Sequence, residues 1–135
     1  MRVLGVDFGG VHIGLATGES EFRIVSAKPN LDASGTLAVD AKALVEIAAE
    51  ENADAIVIGL PLDSGEETKM SRVCRMLGDE IIKLGKPVKY VDESLTSDES
   101  DRAMQDAGLK ASERRRKVDG EAACRILERF FDQES

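Results

Sequence analysis

The six residues Ala55–Leu60 (AIVIGL), stopped by Pro61, constrain the fold more than any other stretch. The run is too short for a helix and apolar at consecutive positions, so both of its faces must be covered. Such a strand belongs in mid-sheet between two layers, and parallel neighbours reach it through helical crossovers. The flanking segments fit that plan. Between residues 37 and 51, Leu37, Ala41, Leu44, Val45 and Ala48 fall on one helical face. A second such stripe runs through Met70, Val73, Leu77, Ile81 and Leu84, and Gly85 and Pro87 end that helix. Upstream, residues 2–7, 11–17 and 21–27 read as three strands of an antiparallel meander, with Gly9 and Gly10 permitting the first turn.

Downstream, residues 87–91 form a fifth strand that delivers Asp92 and Glu93 to its C-terminal end. Thr96 and Glu99 have capping-box spacing and would open a helix through Ala107. A fourth helix starts at about Val118, and the polar, basic residues 108–117 before it lack apolar periodicity and read as a mobile loop. The expectation is a single α/β domain over residues 1–135. Its mixed five-stranded sheet, antiparallel at first and then parallel, is flanked by about four helices.

Charge and cysteine use narrow the function classes. With 18 Lys and Arg against 26 Asp and Glu, the net charge of −8 repels a polyanion at long range, so nucleic-acid contact needs a local basic patch. No apolar run approaches the roughly 20 residues of a membrane span. Arg2 leads straight into a strand-like segment with no signal-peptide pattern, and the isolated Cys74 and Cys124 fit a reducing cytoplasm.

Three carboxylates stand out. Asp7 ends the first strand and Glu93 follows the fifth, and open sheets place ligand sites at strand C-terminal ends. Asp119 lies along the apolar stripe of Ala122, Ala123, Ile126, Leu127 and Phe130. Buried and unpaired it would be costly, although a carboxylate at a helix N-terminus is also favoured by the dipole. Three converging acids repel unless a divalent cation neutralises them, and hard oxygen donors suit Mg²⁺ or Mn²⁺. Such a site hydrolyses phosphodiesters by orienting a water and stabilising the leaving oxygen.

GVDFGG at 5–10, IGLA at 13–16, VIGLPL at 57–62, VDESLTS at 91–97 and VDGEAACRIL at 118–127 resemble, in family order, the YqgF/RuvX family of RuvC-like nucleases. The resemblance covers nearly the whole chain. It implies a ribonuclease H-like fold, a homodimer in some members, and cleavage of branched DNA or maturation of the 5′ end of precursor 16S ribosomal RNA. It makes Asp7, Glu93 and Asp119 the catalytic, metal-holding acids. His12 and Ser94 stand where the family usually has basic residues, which should weaken substrate binding more than metal binding.

Arg114, Arg115, Arg116 and Lys117 form the one dense cationic run. It reads either as a solvated loop or as a clamp on the phosphates of structured RNA or branched DNA. His12 reads as a filler or as an edge of the site, and Asp63 as a turn residue. Two other functions compete with the nuclease. One is a non-catalytic module that binds nucleic acid or a ribosomal partner. The other is a sugar-kinase-like phosphate loop at DFGG, which would need a second lobe that 135 residues do not supply.

Overall fold

A computed structural model describes residues 1–93 and 111–134, with residues 111–119 described as backbone only. Five strands, β1 (Arg2–Phe8), β2 (His12–Glu19), β3 (Ile24–Asp32), β4 (Ala55–Leu60) and β5 (Val88–Asp92), form one sheet in the order β3-β2-β1-β4-β5. β1 pairs antiparallel with β2, and β2 with β3, whereas β4 runs parallel to both β1 and β5. The mixed five-stranded sheet of the sequence expectation is therefore present. All six residues of β4 are buried, as its doubly apolar run requires.

Helices α1 (Leu37–Glu50) and α2 (Lys69–Lys83) cover one face, burying Leu44, Leu77 and Ile81 against Leu4, Val6, Ile56 and Ile58. Thr68 caps α2 by accepting from the Ser71 backbone N–H at 3.0 Å, and its hydroxyl donates to the Pro61 carbonyl, tying the helix start to the end of β4. Helix α3 (Ala111–Glu134) covers the other face, where Ala123, Ile126, Leu127 and Phe131 pack on Val3, Ala16, Val57 and Val91. Glycines let α3 lie close. A Cβ at Gly5 would stand 2.7 Å from Leu127 Cγ, and one at Gly18 would stand 2.8 Å from Phe131 Cζ.

Two expectations need correction. The third strand spans Ile24–Asp32, not 21–27. Arg23 turns the chain with a φ of 52°, and the strand then continues through Pro29, tolerated because β3 is the sheet edge among the described residues. The last helix begins at Ala111, not Val118, so residues 111–117 of the expected loop are helical. Ala, Glu, Arg and Lys are strong helix formers and extend a helix without an apolar stripe. The described residues carry three helices, and the helix expected over 96–107 lies outside them, as does Ser94.

Candidate metal and nuclease site

Strand polarity assembles the site. β1, β4 and β5 are mutually parallel, so Asp7, Gly59 and Asp92 come to the same end of the sheet, where Val6 pairs with Ile58 and Leu60 with Asp92. The pleat then selects the face. Val3 packs on the α3 layer and Gly5 lies beneath Leu127, so Asp7, next in that alternation, shares the α3 side. Val91 also packs in that layer, and Glu93 continues its alternation. The Glu93 N–H donates to the Leu60 carbonyl at 3.0 Å, which extends the β4–β5 pairing to the acid itself.

The Glu93 side chain is 5% exposed, and its Oε2 is buried with no hydrogen-bonding partner. Gly59 provides the space, because a Cβ there would stand 2.9 Å from Glu93 Cδ and Oε2 and would also strike Ile126 Cδ1. Burial, then the charge of Asp7 and a hydrogen bond with it, then Asp92, push the Glu93 carboxyl up to about 9. Beneath, on the opposite face, Cys74 of α2 is fully buried, and its thiol is pushed up to about 12 by burial and by the charges of Glu93 and Asp7. It is a packing residue under the acids and not a nucleophile.

The structure thus brings together two of the three expected acids. A buried oxygen left without a donor, beside a second carboxyl, fits a hard divalent cation. Among the described residues no group of three His, Cys, Asp or Glu forms a metal cluster. Asp119 and Arg114 to Lys117 belong to α3, and their side chains lie outside the described residues. His12 is at the start of β2 and exposed, its Nδ1 3.2 Å from Asp32 Oδ1 on β3. Asp63 pairs with Glu66 across a tight turn through Ser64 and Gly65, both at positive φ, so the turn reading is correct. Gly59, Ile126 and Arg129, which donates to the Asp92 carbonyl at 2.9 Å, were missed as parts of the site. The one sequence signal for any of them is the glycine inside an otherwise apolar strand, a mark of close approach.

The chain also resembles known proteins over nearly its whole length. A family described as "RuvX: Holliday junction resolvase" matches residues 1–133. A protein of Anaeromyxobacter sp. (strain K) named "Putative pre-16S rRNA nuclease" is 38% identical over 135 residues, covering 98% of each chain. A protein of the same name from Chromohalobacter salexigens is 37% identical over 131 residues, covering 96% of this chain and 88% of its own. Among solved structures, Thermus thermophilus RuvC aligns with a TM-score of 0.58 at 13% identity, covering 99% of this chain and 96% of that one. A fowlpox virus resolvase solved with Holliday junction DNA aligns at 0.58 with 8% identity, covering 99% of both chains. These two likenesses show that the five-stranded mixed sheet and its helices share their fold with RuvC and the fowlpox resolvase.

Proposed function

The chain belongs to the RuvX family of Holliday junction resolvases, and from that membership we propose that it is a divalent-metal-dependent nuclease acting through Asp7, Glu93 and Asp119. The observation that carries this reading is the buried, unpartnered Glu93 Oε2 beside the Asp7 carboxyl at the ends of two parallel strands. Helix register supports the third acid. Leu127 and Phe131 lie over Gly18, which pairs with Val3, and Leu127 and Ala123 lie over Gly5. Moving toward the helix N-terminus is therefore moving along β1 toward Asp7. Asp119 precedes Ala123 by four residues, about 6 Å along the helix, and Asp7 follows Gly5 by two strand residues, about 6.6 Å.

Mg²⁺ or Mn²⁺ would be held by these carboxylates, and when bound it supplies the charge that orients a water and stabilises the leaving oxygen. The chain's own contribution is placement: β1 and β5 bring two acids to the same end of the sheet, and the Gly59 recess admits the Glu93 carboxyl. Arg114, Arg115, Arg116 and Lys117, in the turns of α3 before Asp119, clamp substrate phosphates. The names of the relatives point to precursor 16S rRNA as substrate, with branched DNA as the other polymer to test. The free cysteines suit work in the cytoplasm, and among the described residues no helix is long and apolar enough to cross a membrane.

The test is cleavage of end-labelled precursor rRNA and a four-way DNA junction, with Mg²⁺, Mn²⁺ or chelator, by wild type and Asp7→Asn. Metal-dependent cutting of rRNA, lost in the variant, is expected. Equal cutting by the variant would overturn the site, and binding without cutting in every condition would make the protein a non-catalytic module.

A further inference from the structure

Glu93 sits at a mechanically weak point. Among the described residues β5 is an edge strand with β4 as its one neighbour, and Glu93 is the first residue past its last paired position. On the inner side the Glu93 N–H is held by the Leu60 carbonyl. The peptide before it is held from another direction, because Arg129 of α3 reaches across and its Nη1 donates to the Asp92 carbonyl at 2.9 Å. Ile126, one turn earlier on α3, lines the same recess that receives the Glu93 carboxyl. Because α3 also carries Asp119, this charge-assisted bond joins the element bearing one acid to the backbone bearing another.

We propose that Arg129 is a positioning residue for the metal site, fixing the Asp92–Glu93 peptide so that the Glu93 carboxyl stays aimed at the Asp7 end of the sheet. The inference rests on the reading of Glu93 as a metal-holding acid. Partners that orient metal-holding side chains typically contribute 10- to 100-fold to metal affinity, whereas a bond that only steadies the fold leaves the affinity of the folded protein unchanged.

The full-length protein is titrated with MnCl₂ by calorimetry, and thermal unfolding of the metal-free protein is followed alongside. Arg129→Ala is expected to bind Mn²⁺ about tenfold more weakly, with Arg129→Lys recovering much of the loss. Should Arg129→Ala fail to fold, Arg129→Gln, polar but too short for the same carbonyl, makes the comparison. Wild-type affinity in a folded Arg129→Ala or Arg129→Gln protein would overturn the inference and leave the nuclease reading intact. Unchanged Mn²⁺ binding in Glu93→Gln, or none by wild type, would overturn both.

Discussion

Two carboxyls in one desolvated corner do not both ionise at ordinary pH without a compensating cation. In the metal-free protein Glu93 keeps its proton up to about pH 9, because burial and the neighbouring Asp7 disfavour its charge, whereas in the unfolded chain it ionises near 4.5. Between those values the folded state holds the extra proton. The contribution of Glu93 to stability is therefore full below about 4.5 and is lost as pH rises through about 9. With chelator present, the melting temperature should fall by roughly 10 °C from pH 5 to pH 9. Glu93→Gln should flatten that slope, and circular dichroism melts at four pH values check both. The acid limb has another source. Arg75, through a paired hydrogen bond, holds Glu67 down to about 2, so its contribution is present above 4.5 and lost as pH falls toward 2. A divalent ion reverses the cost at Glu93. At a Mn²⁺ concentration 100 times its dissociation constant, stability should rise by about 2.7 kcal/mol, a gain that Asp7→Asn should lose in the same melts.

At the level of the elements, β4 and α3 make the site possible by lying close together. Gly59→Ala would push a methyl group into Ile126 and the Glu93 carboxyl, so it should cost about 1 to 3 kcal/mol in urea unfolding and also weaken Mn²⁺ binding. Leu127, fully buried over Gly5 and Gly18, is a control for packing: Leu127→Ala should cost about 2 to 5 kcal/mol with the acids unaltered. The contrast shows what the sequence discloses and what it withholds. The continuous burial of Ala55–Leu60 follows from its own pattern, and with it the mid-sheet place of β4. Asp7 and Glu93 were readable as strand-end acids, and the parallel register of β1, β4 and β5 brings them together. The Gly59 recess and the reach of Arg129 to Asp92 depend on which helix residue faces which strand, a property of the packed pair that neither segment carries alone. The limits of β3 were missed because a turn at Arg23 and a proline in an edge strand both run against simple alternation.

Across the whole molecule, the charge of −8 opposes the approach of a polyanion, while the four cations Arg114 to Lys117 are concentrated just before Asp119 in α3. A long-range repulsion screened by salt is thereby set against short-range phosphate contacts that release counterions, and both depend on ionic strength with opposite signs. Contact dominates once the strand is bound, since screening acts over about 8 Å at physiological salt and the cations act at van der Waals distance. Binding of a double-stranded substrate by Asp7→Asn, which separates affinity from cutting, should therefore weaken steeply as salt rises. Each phosphate contact adds roughly 0.9 to the slope of log affinity against log salt on duplex DNA. Replacing Arg114, Arg115, Arg116 and Lys117 with Ala in that background should lower the slope by roughly 3.6. The unfolding midpoint should change little, because Ala123, Ile126, Leu127, Phe130 and Phe131 anchor α3 on the sheet and are unaltered. Filter binding on a four-way junction from 50 to 300 mM salt gives the slope, and an unchanged slope would assign the basic run to solvent.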